Sequence, residues 1–412
     1  MAMDAAQPTV GVEEEFLLAD SATGAPAAKN AEVARTAAEC GIGLKLELTR
    51  CQVETNTRVH SSTAELIQEL RDLRLGVASC AEEHGARLLA VAIPPTVPRE
   101  FPVTDTPRYR RIAAEFGLLA REQGLCGCHV HVAIPDRETA VQVSNHVRPW
   151  LPLFLALTAN SAIYRSVDSG FASWRNILWQ RWPSAGPPPY FASTKDYDAM
   201  VDMMVSSGNI LDETMVYWDV RPSMRYPTVE IRVSDIPATV EETGLLATLV
   251  RATVMTARMS LEQGVIAFPV QHEILRAAYW KAARTGINGN GIHPVDGSVI
   301  PVQARLAELV DHIGPALEEL GDRDFVTSAI QAVLARGNGA CRQLEAFRLR
   351  RDVGDVVTEL ANATLEGCHR HPADLYSREG NITEGRPHRK SPGLFSCEPG
   401  DFGADTARDG VI

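Results

Sequence analysis

Three consecutive carboxylates, Glu13, Glu14 and Glu15, stand between Val12 and the apolar run Phe16-Leu17-Leu18. A carboxylate beside that much apolar surface must reach water, find a partner or meet a cation, because burying it bare is prohibitively costly. If Thr9 to Leu18 is a β-strand, side chains alternate between faces. Glu13 and Glu15 then point the same way about 7 Å apart, and Glu14 points away. Two parallel carboxylates repel unless a cation lies between them, and all-oxygen ligands suit a hard divalent ion such as Mg²⁺ or Mn²⁺. The bland alternative is a solvated edge carrying all three glutamates. The rest of the chain decides between them.

Further along, Leu44 to Asn56 reads as extended chain carrying Glu47 and Glu54. Seven residues apart, they face opposite sides of an unbroken strand, so a bulge or turn near Thr49 to Cys51 must re-aim one of them if both serve one site. Gly127 to Ile134 alternates strictly, with Cys128, Val130 and Val132 on one face and His129 and His131 on the other. Two imidazoles sharing a strand face suit metal or phosphate. Thr228 to Asp235 repeats the pattern: Glu230 and Arg232 share a face, and Val229, Ile231 and Val233 line the other. Arg221 and Arg225 lie just upstream. A surface salt bridge is the ordinary reading of such a pair, but a charged face turned to a cleft fits the wholly apolar back.

Helical periodicity marks a capped helix from Ser62 to about Glu83, a second from about Tyr109 to Gln123, others after Asp136 and within Pro149 to Tyr164, and then about 239–262, 271–284, 302–320, 323–336 and 340–365. Arg87 to Ile93 reads as a strand. Arg165 to Ser193, with Trp174, Trp179, Trp182, Arg175 and Arg181, reads as a long structured loop, and loops of that length in a compact domain are usually functional. Gly286, Gly289 and Gly291 mark a surface loop. Residues 368–412 lack periodicity and read as a disordered or loosely attached tail.

Of 412 residues, 45% are hydrophobic and 22% charged, which suits one large globular domain or two closely packed ones, and a single domain over 9–367 is expected. A formal charge of −12 argues against nucleic acid or an acidic membrane as partner, so phosphate must be handled locally by metal and a few arginines. No leader-like or membrane-spanning stretch is evident, and the expected location is cytoplasmic. Eight cysteines without a Cys-x-x-Cys pair suggest buried reduced thiols.

In order, the segments Gly11-Val12-Glu13-Glu14-Glu15-Phe16, Glu47 with Gln52-Val53-Glu54, Gly127-Cys128-His129-Val130-His131, Phe171 to Asn176, Gly186-Pro187-Pro188, Tyr217 to Ser223, Val229 to Asp235 and Ala283 to Gly286 resemble the glutamate–cysteine ligase type 2 group of carboxylate–amine ligases, within the glutamine-synthetase-like superfamily. The resemblance spans about residues 9 to 365. It implies an α+β fold, a curved, mainly antiparallel sheet shaped like a funnel and flanked by helices, of the glutamine-synthetase/guanidine-kinase type. It also implies Glu15, Glu47 and Glu54 as ligands of one Mg²⁺ and Glu13, His129 and Glu230 as ligands of a second. Arg232 would contact the transferring phosphate, with Glu230 beside it, and His131, Arg175 and Arg221 would contact substrate or phosphate.

The implied reaction passes the γ-phosphate of ATP to a substrate carboxylate, that of the L-glutamate side chain, and an amine such as L-cysteine then displaces phosphate. Two or three Mg²⁺ ions, with Mn²⁺ as a substitute, and small-molecule substrates follow. A homodimer, the identity of the acid and amine, and the general base stay open. So do a metal-dependent hydrolase built on His129 and His131 and a catalytically silent nucleotide-binding relative.

Overall fold

The computed structural model describes residues 7–98 and 100–369, so the tail expected at 368–412 falls, from Arg370 on, outside the described residues. At its centre is β1 (Val10–Asp20). Glu13 to Leu17 pair antiparallel with β3 (Gln52–Asn56), and Val10 to Glu14 pair antiparallel with β5 (Gly127–Ala133). The sheet runs β2-β3-β1-β5-β9-β8, where β2 is Lys45–Leu46, β8 Val220–Pro222 and β9 Thr228–Asp235. β4 (Ala86–Leu89) joins β1 beyond Leu17. A separate hairpin pairs β6 (Ile163–Tyr164) with β7 (Val167–Asp168). Every pairing in the main sheet is antiparallel.

One face of the sheet is apolar because each central strand sends every second residue there. Val10, Val12, Val130, Val132, Val229 and Ile231 are all buried, and the long helix Val240–Glu262, itself almost wholly buried, packs over them. That helix starts on Thr239, whose side chain accepts from the Glu242 N–H. Beyond Glu15 both faces of β1 are covered, and Phe16, Leu17 and Leu18 join a second cluster with Val53, Leu88 and Leu89. Polar residues therefore cluster on the open face only around the first half of β1.

Several sequence expectations shift by a turn or a break. The helix expected over 109–123 is Pro107–Phe116 and Leu118–Arg121, parted at Gly117, whose φ of +55° a side chain would resist. The helix expected over 302–320 divides at Ile313, and that over 340–365 divides at Arg351, which takes a left-handed conformation. The strand expected over 87–93 ends its ladder at Leu89, opposite Leu17, because further back along β1 the edge from Val10 to Glu14 is taken by β5. The long loop contains the helix Trp174–Trp179, capped by Ser173. Cys40 is exposed and Cys341 half-buried, so the thiols are not uniformly buried. Among the described residues no helix is long and apolar enough to cross a membrane.

Candidate active site

The three neighbouring glutamates of β1 meet different fates. Glu14 enters the apolar side and is fully buried, answered by the equally buried Arg74, which donates to it from Nε at 3.1 Å and from Nη2. Thr243 Oγ1 adds a third donor at 2.7 Å. Glu13 and Glu15 face the open side. Antiparallel register puts Glu15 opposite Glu54 and Glu13 opposite His129. The turn between β2 and β3 then folds Glu47 back, and carboxylate oxygens of Glu15, Glu47 and Glu54 lie within 4.8 Å of one another.

A second group forms on the other side of Glu13: ligand atoms of Glu13, His131 and Glu230 also lie within 4.8 Å of one another. His131 Nε2 stands 3.7 Å from Glu13 and 4.0 Å from Glu230, while its Nδ1 meets Thr228 Oγ1 at 3.0 Å. His129 Nδ1 is 3.1 Å from Glu13 Oε2 and 3.4 Å from Arg232 Nη1. Both histidines thus border Glu13, and His131 is the one that also reaches Glu230. Arg232 lies beside Glu230 by strand alternation, and the pairing of β5 with β9 then slips between Cys128 and Val130, a bulge that places Asp235 opposite Gly127.

Electrostatics differ across the two groups. Burial pushes the Glu13 carboxyl up, but hydrogen bonds with His129 and His131 outweigh it and hold it far below the usual carboxylate range. For Glu230 burial is likewise overcome, by Arg232 and Arg221. Glu47 goes the other way: burial and the nearby Glu54 and Glu15 carboxylates push it well above its ordinary value. Three carboxylates this close, one unwilling to ionise, are the donor set a hard divalent cation relieves, and both groups fit such an ion. A lysine that the sequence reading passed over bridges the two groups. Lys45 Nζ donates to Glu13 at 3.1 Å, Glu54 at 2.7 Å and Asn56 at 2.9 Å. Its signal was its place on β2, in register with Glu54.

The arginines divide by environment. Arg221 is consumed by Glu230, at 2.9 and 3.3 Å, and by the Val216 carbonyl, so it braces that carboxylate. Arg175 is buried beside Asp235, 3.7 Å away, and threads past Gly127, where an added Cβ would stand 2.5 Å from its Nη2. Glycine at 127 is what allows that approach. Asp235 is itself fixed by Asn160 N, Ser161 Oγ and Ser173 Oγ at 2.7–2.9 Å. Arg175 and Arg232 both line a cavity of about 220 Å³ with Glu15, Glu47 and His129. Its wall includes Tyr109, Trp179, Trp182 and Tyr217, with Gln123 and Arg108. Ala283 anchors the segment before Arg175 by accepting from the Ala172 and Ser173 N–H groups, both at 2.9 Å, and Gly286 sits against Ala172, where an added Cβ would lie 2.9 Å from that methyl group.

The model of glutamate-cysteine ligase family 2 matches residues 9–361. The chain belongs to that family. A protein of Nocardia farcinica named "Putative glutamate--cysteine ligase 2-1" is 67% identical over 384 residues, covering 93% of this chain and all of the relative. One from a Mycobacterium species named "Putative glutamate--cysteine ligase 2-2" is 57% identical over 362 residues, covering 88% of this chain and all of the relative. Among solved structures, the fold is shared with a glutamate–cysteine ligase of Francisella tularensis in complex with AMP, at a TM-score of 0.63 and 14% identity over 90% of this chain and 91% of that one. It is also shared with a bifunctional glutathione synthetase of Pasteurella multocida, at 0.62 and 14% identity, over 88% of this chain and 53% of that one. This family member therefore has an α+β fold shared with those two structures, and its family is one of carboxylate–amine ligases.

Proposed function

We propose that the chain is an ATP-dependent carboxylate–amine ligase that activates the side-chain carboxylate of L-glutamate as an acyl phosphate and joins it to an amine, L-cysteine being the first candidate. The observation that carries this reading is the pair of three-ligand groups, Glu15/Glu47/Glu54 and Glu13/His131/Glu230, side by side on one sheet face of a family 2 chain. Two Mg²⁺ ions held there, the second by Glu13 and Glu230 with His129 or His131, would supply the charge neutralisation that phosphoryl transfer demands.

The chain's own groups do the rest. Arg232, held against Glu230, presents its guanidinium where the transferring phosphate gains charge. Arg221 keeps Glu230 aimed at the site, and Asp235 keeps Arg175 at the cavity. A substrate carboxylate oxygen attacks the γ-phosphorus, the bond to the β-phosphate breaks, and ADP departs. The free amine then attacks the acyl carbon, an N–C bond forms, and inorganic phosphate leaves with the acyl C–O electron pair and takes up, as hydrogen phosphate, the equivalent of the proton the amine sheds. The aromatic wall of Trp179, Trp182 and Tyr217 keeps water from the acyl phosphate. The test is ADP release with Mg²⁺-ATP and L-glutamate, with and without a panel of amines. Amine-dependent ADP release with stoichiometric loss of amine is expected. Absence of ADP with L-glutamate and every amine, despite Mg²⁺-dependent ATP binding, would refute this reading.

A further inference from the structure

The cavity beside the Glu15/Glu47/Glu54 group contains polar atoms that the fold does not satisfy. Gln123 is 4% exposed, yet neither its Nε2 nor its Oε1 meets a hydrogen-bond partner among the described residues. Trp182 is 3% exposed and its Nε1–H is likewise unpartnered. Both line the same cavity, as do Arg175 and Arg232, each with an unpartnered Nε–H. Buried amides and indoles are ordinarily paired, so several unpaired ones converging on one cavity mark a place built for a ligand.

Gln123 is not there by looseness of the chain. Gly124 presses on the Phe101 ring, which an added Cβ would approach to 2.6 Å, and the Phe101 N–H binds the Arg121 carbonyl at 2.9 Å. These contacts fix the backbone on both sides of Gln123. Trp182 is held by Tyr217 and Phe116, with ring centroids 5.6 and 5.1 Å away.

The chemistry of the lining selects the ligand. At about 220 Å³ the cavity lies below the usual range for drug-sized ligands and suits a molecule the size of an amino acid. Two guanidinium groups at the metal end call for a carboxylate. Gln123, with a free acceptor and a free donor, and Trp182, with a free donor, stand among the aromatic rings of the same lining and suit a cationic amine beside a second carboxylate. Resting on the ligase reading, we propose that Gln123 and Trp182 bind the α-amino-acid head group of the acid substrate. Gln123 Oε1 accepts from its ammonium, and Gln123 Nε2 and Trp182 Nε1 donate to its α-carboxylate. The side-chain carboxylate is thereby aimed at the metal end.

The experiment measures ADP release by the full chain with L-glutamate, with glutarate (no α-amino group) and with 4-aminobutanoate (no α-carboxylate), at saturating ATP and amine. Gln123→Leu is expected to lower kcat/KM for L-glutamate by about 10- to 100-fold, the loss of one or two charge-assisted hydrogen bonds. The loss for glutarate is smaller and the KM for ATP is unchanged. Trp182→Phe keeps the ring and is expected to lose about tenfold on L-glutamate and glutarate but not on 4-aminobutanoate. A purely structural role moves none of these ratios. Because Gln123→Leu removes an unsatisfied buried amide, its Tm without ligand is expected to equal or exceed that of the unchanged protein. Equal losses on all three acids, or a change confined to the KM for the amine, would overturn the assignment while leaving the ligase intact. If the unchanged enzyme releases no ADP with any acid, the ligase reading falls, and the assignment with it.

Discussion

The sharpest consequence of the strand alternation in β1 is that Glu14 and its neighbour Glu15 must respond very unequally to substitution. Glu14 and Arg74 are both fully buried, and Arg74 also donates to the carbonyls of Ala238 at 2.9 Å, Pro237 at 3.1 Å and Thr364 at 3.3 Å. Glu14→Leu leaves that guanidinium charged in a dry site. Removing one member of a buried pair costs about 3–5 kcal/mol, a large part of the roughly 5–15 kcal/mol that holds a typical domain folded. Arg74→Met should cost a similar amount, for it strands the carboxylate. The double variant should be less unstable than the sum of the two, with a coupling of about 2–3 kcal/mol, because neither charge is then left alone. Glu15→Gln, on the open face, should change stability by less than about 1 kcal/mol. Urea unfolding of the four variants reads all of this from the midpoints. A Glu14→Leu protein within about 1 kcal/mol of the unchanged chain would refute the buried-pair account.

Three further outcomes follow from particular contacts. Lys45→Met should tighten Mn²⁺ binding by about tenfold in calorimetry, because the ammonium it removes, 2.7 Å from Glu54 and 3.1 Å from Glu13, competes for the same oxygens; weaker binding would contradict this. Burial pushes Asp219 from 3.8 up to about 6, so its contribution to stability is complete below pH 4 and is lost as pH rises through about 6. Relative to Asp219→Asn, the unchanged protein should therefore lose up to ~3 kcal/mol between pH 4 and pH 7 in chemical unfolding, and a flat difference would refute the shift. Removing residues 370–412, which lie beyond the family match ending at 361, should leave ADP release intact; a folded but inactive truncation would contradict this.

Strand alternation made much of the site readable. Glu13, Glu15, His129, His131, Glu230 and Arg232 could each be assigned a face from period two alone, and the apolar back of the sheet from the same pattern. What alternation cannot give is who sits opposite whom. The register that sets Glu15 against Glu54, and the bulge that sets Asp235 opposite Gly127, are long-range facts. Glu47 needed the turn between β2 and β3, which the spacing of Glu47 and Glu54 placed near Thr49 to Cys51, where the chain does turn. Gln123 and Arg74 carried no local signal, since a lone polar residue on a helix face or at a helix end reads as solvated until its burial is known. Arg221, which the resemblance makes a contact to substrate or phosphate, donates to Glu230, a pairing across β8 and β9 that no local pattern displays.

In the proposed function β1 sets two cation sites side by side, one on either side of Lys45. Titration of the metal-free protein with Mn²⁺ in the presence of ATP, followed by electron paramagnetic resonance, tests it directly. The account predicts two bound ions per chain, with Glu47→Gln losing one and Glu230→Gln losing the other. A single ion per chain, or a Glu47→Gln protein that still binds both, would contradict it.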